Sequence, residues 1–446
     1  MNESLDTIVN NAKERRAIPA SFVALPEGGL AEMIYDPEQG RTQFAVARGD
    51  RVEYEDLLVL GEERVFRPYS PENSLIKNDI VLLPSQAEAY ESEEALVAEI
   101  QAFIHRYVDL SPLFEQLSAY YVLFTWLYDS FNELPYLRAK GDTGSGKTRY
   151  LLTVGSLCYK PTFASGASTV SPLFRILDLF RGTLVIDEGD FRLSDEKAEV
   201  VKILNNGNAR GFPVLRSEAV GREREFSPRA YQVYGPKLVA TRTTFQDRAL
   251  ESRCLTEELG NRRLRADIPI NLPMAFKIDA RSLRNKLLTF RFVNYGRPFA
   301  NPALVDPTIE PRLNQVFVPL LSVISDATAR EDLNRVLHEY QRQLVADRGL
   351  EFEGQVVEVI REVHEGLDGA ELSLRDITSR FIQHHAEEMD RKVTPKWIGG
   401  VIRRRLGLRT VRRGGTYVIP ESERPKLEQL YEKYGLQGDP AAGEAF

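Results

Sequence analysis

The residues with the clearest chemical meaning are Gly141-Asp142-Thr143-Gly144-Ser145-Gly146-Lys147-Thr148, which satisfy the whole of G-x-x-x-x-G-K-[ST]. A short apolar run, Tyr136-Leu137-Arg138-Ala139, precedes them, and a helical stretch from Thr148 to Leu157 follows. Glycines let the backbone wrap closely round phosphate oxygens, so that successive N–H groups and a helix N-terminus face the anion. Lys147 is then expected to reach the β- and γ-phosphates of a nucleoside triphosphate, and the Thr148 hydroxyl to bind Mg²⁺. The competing reading is a glycine-rich turn with an incidental lysine, which the strand–loop–helix context disfavours.

Further along, Thr183-Leu184-Val185-Ile186-Asp187-Glu188 is an apolar run ending in two acids. A strand end there sets Asp187 beside the loop, where a carboxylate can hold the magnesium shell. Glu188 is expected to act as the general base that activates water, which argues for hydrolysis over group transfer. A third apolar run, Pro236–Ala240, ends at Thr241, a polar residue placed to sense the γ-phosphate. Arg253, with Arg248 second, can complete a neighbouring subunit's site as a finger that neutralises transition-state charge. The alternative for Arg253 is a surface salt bridge to Glu251 or Glu257.

Taken together, Gly141–Thr148, the Asp187-Glu188 strand end and Thr241…Ala249-Leu250-Glu251-Ser252-Arg253 resemble the AAA+ ATPases. Within them the chain is most similar to the MCM-like and superfamily 3-like helicase ATPases of phages and integrated mobile elements. The resemblance spans about Leu134 to Leu255, and Ser252-Arg253 resembles the serine-arginine finger of the MCM group. It implies ATP and Mg²⁺ as cofactors and a homo-oligomeric ring, expected to be hexameric, around single-stranded DNA. The usual sensor asparagine is replaced by Thr241-Arg242, and Arg312 is a candidate second sensor in a helical lid.

The elements that must position these groups are legible in outline. Leu134–Ala139, Thr183–Ile186 and Lys237–Ala240 read as buried strands of a mainly parallel sheet. The expected fold is therefore an α/β P-loop NTPase core of the AAA+/ASCE type, with an N-terminal α+β region and a C-terminal winged helix-turn-helix domain. The expected divisions are 1–130 (assembly or partner contacts), 131–350 (ATPase with helical lid), 351–421 (winged helix) and 422–446 (helix and tail). Phe44 to Tyr54 reads as a hairpin turning at Gly49-Asp50.

Two regions are candidates for nucleic acid. Between the acidic strand and the sensor strand, Asn205 to Arg216 is glycine-rich and is followed by Arg222, Arg224 and Arg229. Helicases of the resembled group place a DNA-gripping hairpin there, which makes Arg210 and Arg216 candidate phosphate contacts. Interleaved Glu218, Glu223 and Glu225 support a salt-bridged loop equally well. Near the C-terminus, three helices and a hairpin turning at Gly414-Gly415 follow the plan of a winged helix. From Arg391 to Arg413 no acid interrupts the cations, which include Lys396, Arg403, Arg404, Arg412 and Arg413. The third helix would enter a duplex groove and the wing would reach phosphates; the alternative is a protein-binding module facing an acidic partner.

Composition narrows the class. The 446 residues suggest about three domains. A net charge of −7 argues against a whole-molecule polycation, so DNA contacts must be local patches. Two cysteines exclude a disulfide scaffold and fit a reducing compartment. No signal-peptide pattern is visible, and the longest apolar run, Ala119 to Tyr128, is too short for a bilayer, which needs ~20 residues. A cytoplasmic location with no membrane partner is expected. The combined expectation is an ATP-hydrolysing, ring-forming DNA motor, a replicative-type helicase of a mobile element. The alternative is an ATP-dependent DNA-binding switch or loader that does not unwind processively.

Overall fold

The computed structural model describes residues 17–26, 28–49, 51–61, 64–165, 169–187, 195–220, 225–245, 247–297, 301–350, 352–366, 372–385 and 393–436. The chain divides into two units between Asn334 and Arg335.

The first unit opens with short strands β1 (Ile18–Pro19), β2 (Phe22–Ala24), β3 (Leu30–Asp36), β4 (Arg41–Arg48), β5 (Arg51–Glu55), β6 (Leu58–Leu60) and β7 (Arg64–Arg67). Strands β2-β3-β4-β5 form an antiparallel sheet, and β1-β7-β6 a smaller one. The expected hairpin is present as β4 and β5, with Arg48 opposite Arg51 and Gly49 at φ +60°. Ala31, Met33, Phe44 and Val46 are buried in one cluster with Val81, Leu83 and Phe180, so this sheet packs on residues far away in sequence.

A one-turn helix α1 (Ser74–Lys77) precedes α2 (Glu93–Tyr107) and α3 (Pro112–Trp126). Ser92 caps α2, and Glu93 and Glu94 lie in its first turn, where the helix dipole favours negative charge. Helix α3, capped by Ser111 with Pro112 in its first turn, is buried continuously from Leu117 to Trp126. The long apolar run is thus mostly a core helix, and among the described residues no helix is long and apolar enough to cross a membrane.

The centre of the unit is a parallel five-stranded sheet. Its strands are β8 (Tyr136–Lys140), β9 (Thr162–Ser165), β10 (Leu184–Asp187), β13 (Lys237–Thr241) and β14 (Cys254–Glu258), in the order β14-β8-β13-β10-β9. Helices α4 (Lys147–Gly155), α5 (Val170–Phe180) and α6 (Asp195–Asn206) lie between these strands in the chain. Strand alternation divides the side chains between the two faces. Leu184, Ile186 and Val239 pack with α5 and α6 residues, while Val185 faces α4, where a Cβ on Gly155 would stand 3.2 Å from it. A hairpin of β11 (Val214–Val220) and β12 (Glu225–Tyr231) is inserted before β13. A short helix α7 (Arg248–Glu251) leads into β14, and α8 (Met274–Asn294) and α9 (Pro311–Val323) follow; α10 (Ala327–Leu350) begins in this unit and runs past its end at Asn334.

The second unit contains α11 (Phe352–Glu365), β15 (Leu372–Ser373), α12 (Leu374–His385), α13 (Pro395–Arg404), β16 (Val411–Arg413), β17 (Thr416–Ile419) and α14 (Arg424–Lys433). Its strands pair antiparallel in the order β15-β17-β16. Thr394 caps α13 by accepting from Trp397 N, with Pro395 in the first turn. Gly414 and Gly415, at φ +55° and +83°, make the tight turn between β16 and β17. Val356, Ile360, Ile377, Phe381, Ile398, Ile402 and Ile419 close one apolar core.

Lys237, at the start of β13, is fully buried, and its ammonium donates to the carbonyls of Val233 at 3.0 Å and Gly235 at 2.5 Å. Burial pushes this lysine down to about 7. The unfolded chain therefore binds the extra proton between about pH 7 and the ordinary lysine range, and stability attributable to Lys237 rises with pH across that window. Lys237→Met is expected to remove this rise: in denaturant titrations its stability relative to the native protein falls as pH is raised from about 7 to about 10.

Candidate nucleotide site

Strand β8 stops at Lys140, and the chain turns through Gly141–Gly146 into α4, which begins at Lys147. Gly144 and Gly146 take φ of +80° and +97°, a backbone region that side-chain-bearing residues avoid. Gly141 is required for a different reason. A Cβ there would lie 2.4 Å from the Leu259 carbonyl oxygen and 2.7 Å from Ser145 Oγ. Lys147 Nζ folds back over the loop and donates to the carbonyls of Gly141 at 2.6 Å and Asp142 at 2.7 Å. The ammonium thus lies against the loop that leads into the open end of α4, the pairing of groups that holds a phosphate.

The end of β10 lies next to the start of α4, and Thr148 Oγ1 donates to Asp187 Oδ2 at 2.6 Å. A hydroxyl and a carboxylate so joined are oxygen donors suited to a hard divalent cation. Thr241 ends β13 opposite Lys140, and its carbonyl accepts from Gly141 N at 3.1 Å. Ser145 Oγ and Thr241 Oγ1 are buried without a hydrogen-bond partner. Unsatisfied buried hydroxyls each cost about 1–3 kcal/mol, so two beside one loop fit a site completed by a polar ligand. The residues present therefore fit a magnesium-bound nucleotide. Glu188 lies outside the described residues, as does the side chain of Arg248.

Arg253 is elsewhere. Its carbonyl accepts from Tyr136 N, and Cys254 pairs with Tyr136, which places Arg253 at the first residue of β8 while the loop leaves the last. Five residues at about 3.3 Å each separate the two ends by about 16 Å. Neither acid expected as an alternative partner takes Arg253. Glu251 is gripped by the buried Arg138 at 2.6 and 2.5 Å and accepts from Phe245 N at 2.8 Å. Glu257 accepts from Ser111 N and Oγ and pairs with Arg262. Arg253 instead donates to Asn205 Oδ1. Arg312, expected as a second sensor, also lies at this far end, with Nε 3.4 Å from Ser252 Oγ. Burial and the neighbouring Arg253 charge hold its guanidinium below the ordinary value.

The hairpin expected before the sensor strand exists as β11 and β12, and its turn, Gly221-Arg222-Glu223-Arg224, lies outside the described residues. The two arginines assigned to this region differ in setting. Arg210 precedes the hairpin, donates to the carbonyls of Phe131 and Asp129, and lies over the Tyr234 ring at 5.1 Å. Arg216, on β11, pairs with Glu199 at 2.8 Å and lies over the Phe174 ring. Arg229 stands opposite it, 3.8 Å from Glu218, which also receives Arg175 at 2.6 Å. Nothing in the sequence marks Phe212 and Leu215, which are 64% and 66% exposed at the base of the hairpin.

In the second unit the candidate cations gather on α13 and β16. Lys396, Arg403, Arg404, Arg412 and Arg413 are all exposed. Arg403 donates to Thr410 Oγ1 at 3.0 Å and lies over the Tyr417 ring, which joins the helix to the hairpin. Arg405 pairs with Glu353 at 2.6 Å. Arg391 and Lys392 lie outside the described residues.

A parallel five-stranded sheet with a glycine-rich loop between an inner strand and a helix is the architecture of a P-loop core. No family model matches the sequence, and no curated protein matches it. Among solved structures, the apo C-terminal region of NrS-1 is similar at 11% identity and a TM-score of 0.38, over 88% of this chain and 95% of that one. The Aeropyrum pernix Orc1 protein in complex with DNA matches at 16% identity and a TM-score of 0.21, over 75% of this chain and 96% of that one. A JCV helicase structure matches at 14% identity and a TM-score of 0.27, over 57% of this chain and 64% of that one. These likenesses are distant, and the functional reading rests on the geometry of the chain itself.

Gly141→Ala is expected to weaken binding of a ribose-labelled fluorescent ATP about tenfold or more, the cost of forcing one methyl into a packed turn. A fluorescence titration at constant Mg²⁺, with a melting curve to show that the variant is folded, measures it.

Proposed function

We propose that the chain is an ATP-hydrolysing DNA motor of the AAA+ kind that works as a homo-oligomeric ring, expected to be hexameric, in the manner of a replicative-type helicase. The observation that carries this reading is the division of the site. The phosphate loop, Thr148 and Asp187 lie at one end of the parallel strands, and Arg253 at the other, with Arg312 beside it. A single chain cannot bring Arg253 to its own loop, but a neighbouring copy packed against it can supply one.

In this reading Gly141–Gly146 and the N-terminus of α4 hold the phosphates, and Lys147 moves from the loop carbonyls to the β- and γ-phosphates. Mg²⁺, held by Thr148 and Asp187, supplies charge neutralisation at the phosphates when bound. Glu188 takes a proton from the attacking water as its oxygen bonds to the γ-phosphorus and the bond to the ADP oxygen breaks. Thr241 orients the γ-phosphate side of the site, and Arg253 from the next subunit meets the developing charge. The hairpin of β11 and β12 faces single-stranded DNA. The second unit, read as a winged helix, holds duplex through Lys396, Arg403, Arg404, Arg412 and Arg413. The division into an N-terminal assembly region, an ATPase with lid and a winged helix belongs to the same proposal.

One observation favours the second reading, a DNA-binding switch or loader. Arg216 and Arg229 are engaged with Glu199 and Glu218, whereas the basic residues of α13 and β16 are exposed. Steady-state ATP hydrolysis with and without single-stranded DNA separates the two. A motor is expected to be stimulated strongly, with Glu188→Gln and Lys147→Ala both inactive; turnover indifferent to DNA favours the switch. Mixing Arg253→Ala with Lys147→Ala subunits is expected to recover part of the activity, and an Arg253→Ala protein with native turnover would remove the shared site.

Arg412→Ala with Arg413→Ala is expected to weaken duplex binding across unrelated sequences and to reduce the salt slope by about 1 for each phosphate no longer neutralised. Unchanged affinity at two salt concentrations would assign this face to another partner.

A further inference from the structure

Lys277, Arg281 and Arg284 recur along α8 at steps of four and three residues, which sets them on one face of the helix. That face lines a cavity of about 520 Å³, within the range of small-molecule sites, and none of its lining residues belongs to the phosphate loop. Its other walls are mainly apolar: Ile76, Val81, Leu83, Phe163 and Phe276 come from α1, the chain that follows it, β9 and α8 itself. Met274 and Ile278, 79% and 57% exposed, carry the apolar lining out to solvent.

The three cations are not equivalent. Lys277 pairs with Asp79 at 2.8 Å and Arg281 with Glu38 at 3.6 Å, and both acids are more than half exposed. Arg284 is 6% exposed, and its partners are carbonyl oxygens: Nε donates to Leu83 at 3.3 Å and Nη1 to Ser156 at 2.7 Å. Ser156 closes the C-terminus of α4, where the helix dipole favours a cation, yet only partial charges meet the guanidinium there. Burial, and then the Arg281 charge, pushes Arg284 down to about 10. A buried cation is ordinarily matched by an acid, because dehydrating it costs several kcal/mol.

This lining suits a ligand with an apolar body and one negative charge. Asp79 and Glu38 already match Lys277 and Arg281, so the excess is a single charge at Arg284. A carboxylate balances it, whereas a phosphate dianion brings more charge than the cavity neutralises. A neutral chain fills the apolar space and leaves the arginine uncompensated, and an amine is repelled.

We propose that this cavity binds a small monocarboxylate with an apolar body, its carboxylate at Arg284 and its body against the apolar walls. The site is separate from the phosphate loop and does not depend on the nucleotide reading.

The test is calorimetric titration of the full chain with decanoate, decanol and decylamine, each below the concentration at which it self-associates. The native protein is expected to bind decanoate about ten- to a hundredfold more tightly than decanol, the worth of one hydrogen bond to a charged group, and decylamine most weakly. Arg284→Gln keeps an amide that can donate to the Ser156 carbonyl, and is expected to lower decanoate affinity to that of decanol while leaving decanol unchanged. A melting curve shows whether this variant folds. Ile278→Glu changes an exposed position in the cavity lining and decides the matter if it does not: the added carboxylate is expected to weaken decanoate more than decanol. Equal native affinity for decanoate and decanol, a preference that survives Arg284→Gln or Ile278→Glu, or no binding of decanoate overturns the proposal, and none of these outcomes touches the nucleotide site.

Discussion

Glu32 is the charge on which the first unit closes. Its side chain is 1% exposed and meets Lys160 at 2.6 Å, Arg291 at 2.7 Å and the Tyr159 hydroxyl at 2.7 Å. Arg291 in turn reaches Asp129 at 2.7 Å. A buried ion costs several kcal/mol to dehydrate, and removing one partner leaves another charge uncompensated. These groups come from β3, from the turn before β9, from α8 and from the chain just after α3. The N-terminal sheet, the parallel core and α8 must therefore assemble together for any of those charges to be satisfied, which accords with a single compact unit up to Asn334.

Arg138 plays a related part inside the sheet. It lies in the middle of β8, is 2% exposed, and commits its guanidinium to Glu251 and Thr256. Strand β8 carries the phosphate loop at one end, and Glu251 precedes Ser252-Arg253 at the other. The bidentate pair is a rigid link between the loop-bearing strand and the arginine end. It also occupies the acid nearest to Arg253 in sequence, so that acid does not cancel the positive charge there.

The parts of this arrangement legible in the sequence are those in which local chemistry and position coincide. The loop needs glycines at fixed places, and β10 and β13 are continuous apolar runs ending in polar groups. Strands β9 and β14 are not legible, because Thr162–Ser165 and Cys254–Glu258 are short and mixed; their strand character comes from pairing with β10 and β8. The hairpin is legible, but the partners of Arg210 and Arg216 are not, since Asp129, Phe131 and Glu199 are set by tertiary packing. Val108 and Asp109 carry no motif, and only a cavity beside the phosphate loop, whose walls they share, brings them to it.

The two tryptophans of the chain fall one in each unit. Trp126 is fully buried at the end of α3 and donates to the Leu157 carbonyl, just beyond the helix that follows the phosphate loop. Trp397 is half-buried on the basic helix α13, with its ring 4.7 Å from Phe352. A ring shut away from water emits at shorter wavelength than one that meets it. The unlabelled protein thus carries one optical reporter beside the nucleotide helix and another on the basic helix, spectrally separable in a single sample.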